Sequence, residues 1–254
     1  MGYVLLDISE EGCATITLNR PEKMNAINKQ MVQELREVLE SVRTLETLKL
    51  VLITGAGDRA FCAGGDLKDF HGEMAAREAY ELLVPMKEVL YKIATLPVPT
   101  IALLNGQARG GGCEIATACD FRYGVSDASF GFVQGDLGIR PGWGGGVLLY
   151  ERIAAAQAAH WLMDAEMYEA AETLRIGWLH KMGTLEQLQS GRFIESFLNK
   201  TETQMRQFKS QYLSSLSIKG LSDRMDEEVK ECAVLWESEE HKLAVQKFMS
   251  SRKN

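Results

Sequence analysis

No run of apolar residues in this 254-residue chain approaches the ~18 that a bilayer crossing needs. Its first residues, Met1-Gly2-Tyr3-Val4, carry neither the basic nor the apolar region of a secretory leader. The expectation is a soluble protein of the cytoplasm, with no membrane partner. Five cysteines, at 13, 62, 113, 119 and 232, include no Cys-x-x-Cys pair, and an odd count in a chain this long argues against a disulfide framework. Reduced thiols fit the same compartment. The four histidines, at 71, 160, 180 and 241, form no His-x-x-x-His or Glu-x-x-His pattern, so no metal is expected and each reads as a packing or surface residue. Positive charge is also scarce. With a formal net charge of −7 the chain lacks the clustered Lys and Arg of a nucleic-acid surface, and the helical stretch Asn28 to Arg43 offers only Lys29, Arg36 and Arg43 among several glutamates.

The glycine loops lack the known nucleotide signatures. None reads Gly-x-x-x-x-Gly-Lys-Ser/Thr, no Gly-x-Gly-x-x-Gly closes the first strand, and no Gly-x-Ser-x-Gly elbow anchors a serine nucleophile. Triphosphate hydrolysis, dinucleotide binding and triad chemistry are therefore not expected.

What is present is an alternation of strands, glycine loops and helices. Tyr3-Val4-Leu5-Leu6-Asp7-Ile8 and Cys13-Ala14-Thr15-Ile16-Thr17-Leu18 read as a hairpin joined at Glu10-Glu11-Gly12. Asn28 can cap a helix that puts Met31, Leu35, Val38, Leu39 and Val42 on one face. Leu50 to Thr54 and Pro99 to Leu104 are continuously apolar, as strands buried on both faces are. A helix through Tyr80 to Leu90 is interrupted by Pro85, a kink or boundary, and short strands lie near Phe121-Arg122-Tyr123 and Ser129 to Phe132. From about residue 147 the pattern is helical, with the alanine-rich Ile153 to Ala159 stretch of high helix propensity. The expected division is an α/β core over residues 1–195 and a C-terminal helical region over 196–254, which packs on its own domain or on a neighbouring subunit.

Two of the loops carry the same logic. Phe61-Cys62-Ala63-Gly64-Gly65-Asp66-Leu67 and Gly110-Gly111-Gly112-Cys113-Glu114 each follow a buried strand and open a helix. Free amides at a helix start hold developing negative charge, and glycine lets a ligand approach the main chain. Glu114 falls one turn inside the second helix, either as an acid/base or only as a partner for the helix dipole. Two amide-bearing loops and one carboxylate suit an oxyanion hole.

These residues bring a family into view. The chain resembles the crotonase superfamily, the enoyl-CoA hydratase/isomerase family, through four motifs in order. They are Asn19 to Ala26, Phe61 to Lys68, Gly106 to Glu114 and Leu137 to Gly145. The resemblance implies a spiral of ββα turns, a C-terminal helical region that trimerises, and trimers that pair into hexamers. It implies an acyl-CoA thioester substrate, as in fatty acid metabolism, with coenzyme A carried on the substrate and no other cofactor. By position, the oxyanion amides fall on Gly65 and Gly111, Ala63 falls where the family meets adenine, and Lys68 matches a CoA-phosphate contact. Lys23 or Arg20 matches a similar contact in the first motif.

One position departs from the family. Hydratases of this kind resemble one another in having two glutamates, and alignment places Glu114 at the first and Gln134 at the second. Glutamine orients water but relays no proton near neutral pH. Three readings stay open: Glu114 acts as both acid and base, Asp136 substitutes after a loop shift, or the reaction differs. The run Phe132 to Gly145 is closer to ethylmalonyl-CoA decarboxylase-like members, where an arginine such as Arg140 can hold a departing carboxylate; Arg140 also reads as a surface residue in a salt bridge. Trp143 is either a wall of the acyl pocket or plain core. Cys62 and Cys113, without a neighbouring base, read as small buried fillers. The leading expectation is hydration of, or proton transfer on, a 2-enoyl-CoA by a lyase; the alternative is decarboxylation of a methylmalonyl- or ethylmalonyl-CoA. RNA binding and an inactive CoA-binding subunit are the remaining classes.

Overall fold

The computed structural model describes residues 2–70 and 74–251. Among the described residues ten strands form two sheets. The hairpin is present: β1 (Val4–Ile8) runs antiparallel to β2 (Cys13–Leu18), with Val4 opposite Leu18. The remaining strands are β3 (Leu50–Gly55), β4 (Ala60–Cys62), β5 (Thr100–Leu104), β6 (Gln107–Arg109), β7 (Phe121–Val125), β8 (Ser129–Gly131), β9 (Tyr168–Glu169) and β10 (Lys181–Gly183).

The larger sheet has the order β1-β2-β3-β5-β7-β10 and the smaller β4-β6-β8-β9. Strands β2, β3, β5 and β7 are parallel neighbours, as are β4, β6 and β8. Each turn of the chain therefore lays one strand in the large sheet, the next in the small sheet, and then a helix. This is a spiral of ββα turns.

The helices are α1 (Lys29–Arg43), α2 (Leu67–Phe70), α3 (Ala76–Ala94), α4 (Gly111–Ala118), α5 (Gly145–Arg152), α6 (Ala155–Asp164), α7 (Ala170–Arg175), α8 (Leu185–Gln189), α9 (Glu195–Leu198), α10 (Glu202–Ser215), α11 (Leu221–Trp236) and α12 (Glu239–Ser251). The Asn28 side chain accepts the Met31 amide at 2.8 Å, so α1 starts where its cap predicts. Its apolar face, Met31, Val32, Leu35, Leu39 and Val42, is buried.

Pro85 neither ends nor divides its helix. Ala79, Leu83, Met86, Leu90 and Ile93, on both sides of it, are buried along one continuous face, and that packing outweighs the lost backbone bond. The region after residue 147 is not wholly helical either. Tyr168 in β9 pairs with Phe130 of β8, and Lys181–Gly183 in β10 pairs with Tyr123–Val125 of β7. Strands of two and three residues are too short to show an alternation, and the sheet edges supply their bonds.

The C-terminal helices reach into the body of the same chain. Lys209 of α10 is buried and its Nζ lies 2.5 Å from both carboxylate oxygens of Asp120. On α11, Met225, Val229 and Cys232 join the main hydrophobic core.

Candidate active site

Among the described residues, two peptide amides are left without backbone partners by the way their strands end. Beyond β4, Ile27 donates to the Gly64 carbonyl at 2.8 Å and accepts from the Asp66 amide at 2.7 Å. In such a parallel bridge the residue between, Gly65, turns its own N–H away from Ile27. Gly64, at φ +92°, makes the turn that allows this. Beyond β6, Gly110 at φ +50° donates to Gly131, and α4 begins at Gly111. The first amide of α4 to bond back is Glu114, to the Gly110 carbonyl at 3.1 Å, which leaves the Gly111 N–H as a free helix-start donor. A Cβ placed on Gly64 would stand 3.3 Å from the Gly111 nitrogen, so the two loops touch.

Beside them lies Glu114, only 2% exposed. Its Oε2 accepts from the amides of Trp143 at 2.9 Å and Gly145 at 3.0 Å, and its Oε1 accepts from Gln134 Nε2 at 2.9 Å. Burial pushes its carboxyl above the ordinary glutamate value, while these donors pull the other way. An ionised carboxylate can only accept, so Gln134 must present its NH2 group to it. The other end of that amide, Oε1, is buried and has no partner among the described residues.

Trp143 closes one side. A Cβ on Gly111 would stand 2.1 Å from its ring, and the ring meets Phe70 edge-on at 5.7 Å between centroids. The indole therefore covers the Gly111 loop while it remains part of the main hydrophobic core, 4% exposed.

The remaining expected residues divide. Gly65, Gly111, Glu114, Gln134 and Trp143 come together. Ala63 stands at the entrance of the first loop, half-buried, its N–H given to the Met24 carbonyl at 3.0 Å. Lys23 is exposed in a single 3-10 turn, Pro21–Lys23. The backbone of Lys68 lies in α2, and its side chain lies outside the described residues. Arg140 is half-exposed and its guanidinium engages Glu231 of α11, as a surface ion pair does.

Two alternatives fail on geometry. Arg20, the other candidate for a phosphate, is buried, with Nη1 on the Ala26 carbonyl at 2.6 Å and Nη2 on Asp66 at 3.0 Å. It clamps the Gly65 loop instead. The turn Val133–Leu137 that buries Gln134 leaves Asp136 exposed, so no second carboxylate replaces the missing one from that turn. Cys62 and Cys113 are buried fillers: burial pushes the Cys62 thiol up to about 12 and the Cys113 thiol upward too.

One buried carboxylate escaped the sequence reading. Glu228 of α11, 2% exposed, accepts the amides of Val147 at 2.7 Å and Gly146 at 3.3 Å. Its signal was an acidic residue on the apolar stripe Met225, Val229, Cys232.

Two donor amides beside a buried carboxylate suit reactions that move negative charge onto a carbonyl oxygen. The chain belongs to the enoyl-CoA hydratase/isomerase family, whose sequence model matches residues 9–254. It is 38% identical over 179 residues to a crotonyl-CoA hydratase of Syntrophomonas wolfei, covering 70% of this chain and 68% of that one. It is 32% identical over 176 residues to an ethylmalonyl-CoA decarboxylase of Xenopus laevis, covering 69% and 58%. An enoyl-CoA hydratase of Bacillus anthracis, 26% identical, superposes with a TM-score of 0.79 over 98% of this chain and 96% of that one. One from Mycobacterium avium subsp. paratuberculosis, 22% identical, shares the fold at a TM-score of 0.85 over 97% and 98%. The ββα spiral is the crotonase fold.

Proposed function

We propose that this chain is a lyase that adds water across the double bond of a 2-enoyl-CoA, with Glu114 as its one working carboxylate. The observation that carries this reading is the Gln134 amide. Its Nε2 is spent on Glu114 at 2.9 Å, and its unpartnered Oε1 faces no protein donor. A water that donates one proton to Gln134 Oε1 and the other to Glu114 Oε1 satisfies both acceptors and turns its lone pair outward.

Glu114 takes a proton as the water oxygen bonds to C3, and the C2=C3 electrons move onto the thioester oxygen, where the Gly65 and Gly111 amides receive the charge. Glu114 returns the proton to C2 as the enolate collapses. One group serves as base and then as acid, so no second glutamate is needed. The same path without water, from C4 to C2, is the isomerisation expected of the family.

In this reading Ala63, Lys23 and Lys68 hold the coenzyme A portion, which arrives with the substrate, and no other cofactor or metal takes part. Trp143 bounds the acyl group. The helices of residues 196–254 serve assembly into a homotrimer or a pair of trimers, in the cytoplasm and within fatty acid metabolism. Among the described residues no helix is long and apolar enough to cross a membrane.

Decarboxylation is the second reading, favoured by Gln134 at the second position and by the 32% identical decarboxylase. Against it, Arg140 is already engaged by Glu231, and the buried Glu114 carboxylate repels another anion. Purified protein incubated with crotonyl-CoA, and separately with ethylmalonyl-CoA, is read by mass. Gain of one water on the first substrate is expected. Loss of carbon dioxide from the second, with no hydration of the first, would reverse the assignment.

A further inference from the structure

Glu114 and Glu228 approach the same helix start from opposite sides. The first amides of α5 are divided between them: Gly145 serves Glu114 at 3.0 Å, while Gly146 and Val147 serve Glu228 at 3.3 and 2.7 Å. Neither approach tolerates a side chain on the helix. A Cβ on Gly145 would stand 2.3 Å from Glu114 Cγ, and one on Gly146 would stand 2.6 Å from Glu228 Oε2. The pair of glycines is what brings two buried carboxylates onto one turn.

A helix N-terminus offers roughly half a positive charge. That is enough to favour one buried carboxylate and not two. The donors decide which. Glu114 has three at 2.9–3.0 Å, whereas Glu228 has two, one of them long. We propose that Glu228 is a positioning residue of the active site, which keeps the single proton of this carboxylate pair so that Glu114 stands charged and ready to act as base. The proposal rests on the hydration reading for its catalytic consequence but not for its titration.

Among the described residues, the surroundings offer Glu228 no competing partner. From α4 it faces Glu114; from the loop before α5, Arg140, whose guanidinium engages Glu231. On its own helix Cys232 is held neutral by burial, and Asp226 is occupied by Lys230 and by Tyr80 and Lys87 of α3. Glu151 and Arg152, at the far end of α5, pair with Arg224 and Asp120. On α12, His241 directs Nδ1 to the Leu137 carbonyl. Burial first, and the Glu114 charge second, push the Glu228 carboxyl up to about 8.

The consequence has a sign. Above that value Glu228 ionises and places a second negative charge on the amides that hold Glu114, opposing an enolate that is itself negative. The rate of crotonyl-CoA hydration is expected to fall above about pH 8, by about tenfold per further unit. Glu228→Gln keeps the shape and one acceptor but cannot ionise. Its rate is expected to hold to higher pH, while the acidic limb stays where it was.

The test joins that profile to a direct titration. Protein carrying ¹³C-carboxyl glutamate is titrated by infrared or carbon NMR, wild type beside Glu228→Gln. One carboxyl that stays protonated at neutral pH in the wild type and is missing from the variant is the expected result. A Glu228 that ionises in the ordinary glutamate range overturns the proposal, whether or not the enzyme hydrates crotonyl-CoA. So does a folded variant slowed by one constant factor at every pH, which would make Glu228 a packing residue. Should the variant not fold, the wild-type titration alone decides. Absence of any hydration in the wild type, with the protonated carboxyl present, refutes the hydratase reading and leaves the shared proton standing.

Discussion

Glu114 is held on three sides, by Trp143 N, Gly145 N and Gln134 Nε2, so its carboxylate has one orientation and little water around it. Replacing it by Gln keeps the volume and removes the proton carrier. We expect Glu114→Gln to lower kcat for crotonyl-CoA hydration by about 10²–10⁴ with a small change in KM, measured by steady-state kinetics. Gln134→Glu should act in the opposite sense. Two carboxylates within hydrogen-bond distance share a proton, so hydration should rise and the acidic limb of the pH profile should move up. An unchanged profile would show that Gln134 does not face the reacting water. At this scale much was legible. The types and order of Gly65, Gly111, Glu114 and Gln134 are in the motifs, but the Glu114–Gln134 contact is not, because it depends on β6 and β8 lying side by side. Arg20 shows the converse: its charge suggested a phosphate, and only the fold shows that Asp66 and the Ala26 carbonyl take its guanidinium.

Among the elements, α5 matters most, since its first turn carries both buried carboxylates. The Glu228 carboxyl moves from its ordinary 4.5 up to about 8 on folding. Between those values the unfolded chain has released a proton that the folded one keeps, so stability is full below 4.5 and declines as pH rises to about 8. Thermal unfolding of Glu228→Gln across this range should show a gain relative to wild type that grows with pH and then levels. A constant difference would contradict the shared-proton arrangement. The strong elements were legible because their periods are long: α1 starts at its Asn28 cap and buries Met31, Leu35, Leu39 and Val42 of its predicted face, with Val38 half-buried. What periodicity missed has physical causes. A single proline cannot break α3 when its apolar face is buried on both sides, and β9 and β10 exist only because the sheet edges pair with them.

The whole molecule is tied together through a buried polar knot beneath α10. Asp120, 1% exposed, accepts from the Thr100 amide at 2.9 Å and from Lys209 at 2.5 Å, with Arg152 at 3.5 Å. Removing that one anion leaves buried cations uncompensated. Asp120→Ala should cost about 3–5 kcal/mol in denaturant unfolding and loosen α10 from the core. His180 adds an acid weakness. The Arg122 amide donates to its Nδ1 at 3.3 Å, and burial followed by the nearby arginines pushes it down from 6.5 to about 4. The unfolded chain binds a proton there that the folded one refuses, so stability falls as pH drops from 6.5 toward 4. His180→Gln should flatten that slope. None of this knot was legible in the sequence, since its members come from β5, the turn before β7, α5 and α10 and meet only in three dimensions.

In the proposed reading the Gly65 and Gly111 amides hold the thioester oxygen beside Glu114. Difference infrared spectra of crotonyl-CoA labelled with ¹³C at the thioester carbonyl, recorded within the first turnover on the slowed Glu114→Gln protein, test it directly. The carbonyl stretch is expected at lower wavenumber than in free crotonyl-CoA, because two fixed donors polarise the bond. A stretch unmoved from its position in water would contradict the account.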